Sequence, residues 1–263
     1  MARALDTLRH FHAVLKQYPV DQVVAVATSA VREAANGNQF VRAIEGETGI
    51  RVQVISPEEE AHRTLLGVLS GFNEPPRSFL VMDIGGGSTE FIWGDAQGNC
   101  EVISTDLGVV RLTERYLSTH GPTSQTMNGV TGLIQSRLEK VKKALFGSSP
   151  TGFHPVRFIG TAGTITTLAA IDLGLRVYDP KRIHLHRLSL DRVKGIVEEL
   201  VSKTPAGRLS IPGLEKGRED LIVPGGFILL MAMQALNFEE LVVSEYGLRE
   251  GILVDYCRRL MRN

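Results

Sequence analysis

Asp83-Ile84-Gly85-Gly86-Gly87-Ser88-Thr89-Glu90 is the stretch on which the reading of the fold turns. It sits inside FLVMDIGGGSTEFIWGDAQGNCEVIST (79–105): an apolar run, a glycine turn, a second apolar run, a turn over Asp95 to Asn99 and a third run. Such a pattern predicts an antiparallel meander rather than a strand entering a helix. A simple hairpin needs one or two glycines to supply positive φ, not three bracketed by acids and hydroxyls. Successive glycines let the backbone approach an anion without obstruction. The N–H groups of Gly85, Gly86 and Gly87, with the hydroxyls of Ser88 and Thr89, can then form an anion-binding concavity. Asp83, closing the first strand, is a hard oxygen ligand suited to Mg²⁺, and Glu90 adds a second carboxylate nearby.

Outward from this loop the chain alternates strands and helices. Leu5, Leu8, Phe11, Val14 and Leu15 recur at helical spacing, so the chain opens in an amphipathic helix. DQVVAVA (21–27) reads as a buried strand and RVQVIS (51–56) as a second one. Ser56 caps the helix that follows, with Pro57 at its first position and Glu59 three residues after the cap. FNEPPRS (72–78) is the best linker. Beyond the meander, a helix is expected over roughly 127–145. The strand RFIG (157–160) then runs into a helix over 162–171. TPAGRLSIPGLEKGRED (204–220) reads as a surface loop, followed by an apolar helix, the strand ELVVS and a last helix over 248–262. Strands separated by helices, with a meander carrying a glycine loop, indicate an α/β protein of two lobes.

Composition narrows the class. Lys+Arg and Asp+Glu are 29 each, which argues against a nucleic-acid polymer or a membrane surface as partner, since both demand a field of one sign. Cys100 and Cys257 form no metal-type or redox-type pair, and MARALDTLRHFHAVLKQY lacks a continuous apolar core. A cytoplasmic location is expected.

DIGGGSTE, taken with TSAVREAANG, ISPEEEA, GTAGTITTLAA, GREDLIVPGG and SEYGLREGIL, resembles the exopolyphosphatase/guanosine pentaphosphate phosphohydrolase (Ppx/GppA) family. The resemblance implies the actin/hexokinase/Hsp70 superfold, with two ribonuclease-H-like lobes and phosphate between them. On this basis 1–76, joined by the helix 247–263, would form the first lobe and 77–246 the second. It also implies hydrolysis of terminal phosphate from polyphosphate or pppGpp by Mg²⁺-assisted attack of water. Asp83 would serve the metal and Gly85 to Thr89 the phosphate. Glu60, before Ala61, matches the family's general base, while Glu58 and Glu59 favour the helix dipole. Arg32 resembles the family's cleft arginine; pairing with Glu33 or Asp21 on the surface is the competing reading. Arg111 and Arg115 fit a polyanion groove or a solvated face equally. GTAGT fits close helix–strand packing better than nucleoside binding, and His184-x-His186 reads as a polar strand face.

The sequence departs from the family in four places. Members normally open with a strand carrying an Asp-x-Gly-Ser/Thr-Asn-Ser loop, and no such segment is found here. An incomplete first lobe from a truncated start is therefore expected, with sheet edges prone to dimerisation. The alternative reading is a non-catalytic phosphate- or nucleotide-binding relative inactivated by loss of that loop. Pro57 stands where the family commonly has Gly, His62-Arg63 replaces the usual Arg-Leu, and Glu245 stands where it usually has Asp.

Overall fold

In the computed structural model, residues 1–95, 99–117, 124–147 and 157–262 are described. The chain divides into two compact units, Met1–Glu60 and Ala61–Asn263. No helix among the described residues is long and apolar enough to cross a membrane.

In the first unit, α1 (Ala2–Leu15), β1 (Ala25–Ala27), α2 (Ser29–Arg32), α3 (Gly37–Thr48) and β2 (Val52–Val54) follow in order. The two strands pair in parallel, Ala25 opposite Val52 and Ala27 opposite Val54. β1 was expected to be buried and to run from 21. It is shorter and half-buried throughout, because among the described residues it pairs with β2 alone. α3 ends on Gly49 in the left-handed region, φ 70°, where a residue without Cβ closes a helix cheaply. α4 (Pro57–Ser70) begins as its sequence predicts, with the Glu59 amide donating to Ser56 Oγ at 3.2 Å.

The second unit is built on a six-stranded sheet of order β5-β4-β3-β6-β8-β7. β3 (Ser78–Ile84), β4 (Thr89–Asp95) and β5 (Cys100–Thr105) form the expected antiparallel meander. β3 also pairs in parallel with β6 (Arg157–Thr161), and β6 with β8 (Glu240–Val243). β7 (Arg187–Ser189) closes the far edge antiparallel to β8. The period of two in β3 explains why it lies at the centre. Leu80, Met82 and Ile84 face the large core built with α6 (Ser124–Phe146), α7 (Ala162–Asp172), α9 (Leu190–Ser202) and α11 (Ile222–Ala235). Phe79 and Val81 face a second core with Ala61, Leu65 and Val68 of α4.

Two features depart from the sequence reading. Segment 204–220, expected on the surface, contains α10 (Pro205–Arg208) and buries Arg208 to 2% exposure. That guanidinium donates from Nε to the Leu200 carbonyl (2.7 Å) and from Nη1 to the Glu219 carbonyl (2.8 Å), fastening the segment inward. His184 and His186 are not on a strand either. His184 caps the end of α8 (Pro180–Ile183), and His186 precedes β7, its Nε2 2.7 Å from Asp172 Oδ2.

α4 and α12 (Leu248–Arg262) cross on bare backbone. A Cβ on Gly251 would lie 1.6 Å from the Arg63 carbonyl oxygen, and one on Gly67 would lie 1.9 Å from that of Gly247. Gly251→Ala is expected to cost about 3 kcal/mol through overpacking. Leu253→Ala, two residues along on the exposed side of α12, should stay within about 0.5 kcal/mol. Denaturant unfolding of the two variants measures the contrast.

Candidate active site

The glycine loop is held from behind. α5 (Val109–Leu112) follows Gly108, and its amides point at the loop: Val109 N–H donates to the Gly85 carbonyl (3.1 Å), and Val110 N–H to that of Gly86 (2.9 Å). Arg111 Nε donates to the Gly87 carbonyl at 3.1 Å. With three successive carbonyls drawn toward α5, the intervening amides are turned the other way. Gly85 N–H is spent on the Ser88 carbonyl (2.9 Å), so it closes the turn. Among the described residues, the N–H groups of Gly86, Gly87 and Ser88 make no hydrogen bond. This is an anion-binding nest made of backbone. Behind the loop Gly108 admits no side chain: a Cβ there would sit 2.2 Å from the Gly86 oxygen. Sequence reasoning missed Gly108, because nothing local marks a glycine whose reason lies two strands away.

Thr89 does not present its hydroxyl as expected. It is fully buried and donates Oγ1 to the Leu107 carbonyl (2.5 Å), which fixes the strand after the loop. Asp83 and Glu90 are directly opposed across β3 and β4, so both carboxylates project from one face of the sheet. Glu90 is 3% exposed and accepts from Ser104 Oγ at 2.9 Å. Like charges in direct cross-strand opposition repel. A hard divalent cation, which commonly takes one or two carboxylates and fills its shell with water and phosphate, suits that pair. No group of three or more metal-ligating side chains gathers among the described residues.

The carboxyl ends of β3, β6 and β8 meet at one cavity of about 330 Å³. Asp83, Thr161, Gly163, Tyr178, Arg218 and Glu245 line it. Ala162 opens α7 with φ 71°, a conformation that costs a side-chain-bearing residue on the order of 1–2 kcal/mol. The Arg218 guanidinium lies against Gly163, where a Cβ would meet Nη1 at 2.4 Å. Gly160 has the packing role expected of it, pressed by Ile165 and Leu241. Tyr178 donates to Glu245 Oε2 at 2.7 Å. Burial and the Glu245 carboxylate push the phenol up to about 12. Burial likewise raises Glu245, against the opposing effect of the Tyr178 hydroxyl. Arg218 and Tyr178 carried no assigned role in the sequence.

In the first unit the carboxyl ends of β1 and β2 carry the other predicted pair. Arg32 Nη1 donates to the Ile55 carbonyl (2.8 Å) and reaches Glu60 Oε2 at 3.3 Å. The side chains of Arg32 and Glu60 are 22% and 13% exposed. Burial raises the Glu60 carboxyl above the ordinary glutamate range, opposed by Arg32 and by the Thr28 hydroxyl. Glu58, fully exposed, is lowered by its own backbone amide and by Ser56. Arg115 lies over the Tyr116 ring at 5.2 Å.

A family model described as the Ppx/GppA phosphatase family matches residues 1–260. The chain belongs to this family. Exopolyphosphatase 2 of Mycobacterium tuberculosis is 30% identical over 261 residues, covering 96% of this chain and 80% of that protein. A bifunctional 3-dehydroquinate synthase/phosphatase of Fusobacterium nucleatum is 29% identical, and there the chain spans only 38% of its relative's length. Among solved structures, the Ppx/GppA family member of Aquifex aeolicus has a TM-score of 0.81 at 30% identity, over 98% of this chain and 81% of that one. An exopolyphosphatase from Cytophaga hutchinsonii has a TM-score of 0.85 at 30% identity, over 97% and 81%. The actin/hexokinase-like α/β fold expected from the sequence is borne out by these Ppx/GppA structures.

Gly108→Ala forces the loop off α5 without touching either core. Turnover of a phosphate substrate should fall by about 10²-fold or more as preorganised donors are lost, with the unfolding transition retained. Steady-state kinetics beside circular dichroism checks both halves of that expectation.

Proposed function

We propose that this Ppx/GppA member removes the terminal phosphate of a phosphoanhydride, polyphosphate or pppGpp, by attack of water. The observation that carries the reading is the row of unspent amides at Gly86, Gly87 and Ser88, aimed away from α5 and beside two opposed carboxylates. Backbone donors of this kind hold phosphate oxygens before and during charge build-up without reorganising. Phosphoryl transfer asks little more than such positioning and charge stabilisation. Asp83 and Glu90 would hold Mg²⁺, whose chemistry is to neutralise the phosphate oxygens and stabilise charge on them. Glu60 is assigned the general base, taking the proton of the attacking water. Its raised affinity for protons suits it to accept one. Arg32 keeps that carboxylate ionised and aligned, and can share its remaining donors with phosphate oxygens.

The cavity beyond Asp83 supplies an argument between the two substrates. Asp83, Glu245 and Glu250 set three carboxylates against the guanidiniums of Arg218 and Arg249. An extended polyanion gains nothing from such a wall. A neutral heterocycle with hydrogen-bond donors does, so this surface favours pppGpp.

Phosphate release from polyphosphate and from pppGpp, with and without Mg²⁺, tests the proposal. Turnover of pppGpp exceeding that of polyphosphate supports the cavity argument. Binding of either without release of phosphate would replace the enzyme with a binding protein. Glu60→Gln should slow turnover by ~10²–10⁴-fold with little change in KM. Asp83→Asn combined with Glu60→Gln should be no slower than the worse single change if the two serve one reaction.

The pH dependence has a defined sign. A base must be ionised to act, so the acid limb of the rate profile should lie above the range of an ordinary glutamate. Arg32→Gln removes an influence that lowers Glu60, and the limb should move to still higher pH. A limb that moves down instead removes Glu60 from the role.

A further inference from the structure

The turn Ser244–Gly247, which carries Glu245 to the cavity, is fastened at every residue. Ser244 N–H donates to the Gly160 carbonyl at 2.7 Å. The Tyr246 carbonyl accepts from Thr161 Oγ1 (2.9 Å) and Ser244 Oγ (2.8 Å). Gly247 N–H donates to Glu250 Oε2 at 2.9 Å. The remaining anchor is a ring: Glu245 N–H donates to His184 Nδ1 at 3.3 Å. His184 Nε2 lies 3.0 Å from the Gly71 carbonyl oxygen, which can only accept. Nε2 therefore carries the hydrogen and Nδ1 the lone pair, so the partners define one neutral tautomer. The ring is stacked on Tyr246, centroids 4.8 Å apart. At the Nε2 edge, a Cβ on Gly71 would lie 2.6 Å from His184 Cε1 and 3.1 Å from Tyr246 Cδ2. The imidazole thus bridges the Gly71 carbonyl, just after α4, and the Glu245 amide of the turn.

We infer that His184 is a positioning residue for the cavity. As a neutral ring it holds the Glu245 amide, and through it the carboxylate that receives Tyr178. Once protonated it lets that segment go. A proton on Nδ1 meets the Glu245 N–H head-on, two donors facing one another, and the amide loses its acceptor. The Glu245 carboxylate, with Arg249 and Glu250 beside it, faces the ring from the turn and α12. Tyr178 stands behind Glu245, Tyr246 lies on the ring face, and Lys181 and Arg182 belong to its own short helix. Glu250 holds the same turn from α12, accepting from the Gly247 amide. The inference rests on the cavity holding the part of the substrate beyond the terminal phosphate.

The test uses the full chain in three forms: unaltered, His184→Asn and His184→Phe. Asn offers an amide oxygen near the place of Nδ1 and does not titrate, whereas Phe keeps the stacking and loses both bonds. Two readouts are taken from about pH 8 to about pH 5: the ¹⁵N–¹H resonance of the Glu245 amide, and KM and kcat for pppGpp. In the unaltered chain the amide should shift in step with His184 protonation. KM should rise by about tenfold relative to His184→Asn, the scale of one lost hydrogen bond, with kcat changing less. His184→Phe should show the acid-form KM already at pH 8. A Glu245 amide indifferent to His184 protonation overturns the inference, as does a His184→Phe KM equal to that of the unaltered chain. If no form releases phosphate, the proposed hydrolase fails on its own, and the amide titration still decides the role of His184.

Discussion

A peptide unit has two polar ends, and tying one down aims the other. The carbonyls of Gly85, Gly86 and Gly87 are all drawn to Val109, Val110 and Arg111. This is why the loop between β3 and β4 is a nest rather than a flexible hairpin. The arrangement demands a close approach, which only Gly108 permits, and an α5 too short to have any other evident purpose. Four residues of helix would be marginal alone. Here they are stabilised by Val109 and Leu112 in the core, so the apolar interior determines the direction of amides at the surface.

The same logic places the rest of the machinery. In each unit the chemically useful residues leave the carboxyl ends of parallel strands: Thr28 to Arg32 and Ile55 to Glu60 after β1 and β2, Asp83, Thr161 and Glu245 after β3, β6 and β8. In open α/β sheets those ends are where ligands bind, because the connections to the following helices diverge there and leave a crevice. Helix starts at the same ends add oriented amides, and α7 begins immediately after Thr161. Geometry of the sheet thus gathers residues that are far apart in the chain, and their chemistry then depends on local burial.

Much of this was legible in the sequence because the signals were local. The meander showed as three apolar runs between turn residues, and the cap of α4 as Ser56-Pro57 with Glu59 three residues after the cap. Family blocks carried the superfold, which periodicity alone would not have reached. What stayed hidden depended on distant partners. Gly108 is a glycine because of Gly86, Tyr178 matters because of Glu245, and His184 looked like half of a polar strand face because its two partners, Gly71 and Glu245, lie far along the chain. Thr89 sits inside the most informative motif of the sequence, yet its hydroxyl serves Leu107. A motif gives the residues of a loop; only the fold says which atom of each is turned outward.

The segment 204–220 shows how far such dependence extends. Its glycines, prolines and charges have the composition of a solvated loop, and Leu209 and Lys216 are indeed exposed. Arg208 reverses that expectation by donating to two carbonyls that bracket the segment, Leu200 before it and Glu219 near its end. Burial pulls this guanidinium below its ordinary value, an unfavourable environment for a charge that only good hydrogen bonds offset. The residue beside Glu219 is Arg218, whose guanidinium lies across Gly163 at the mouth of α7. An arginine hidden from solvent therefore holds in place one that faces the cavity. The sheet ends build most of that wall, and the part they cannot reach is supplied by a loop made rigid from within.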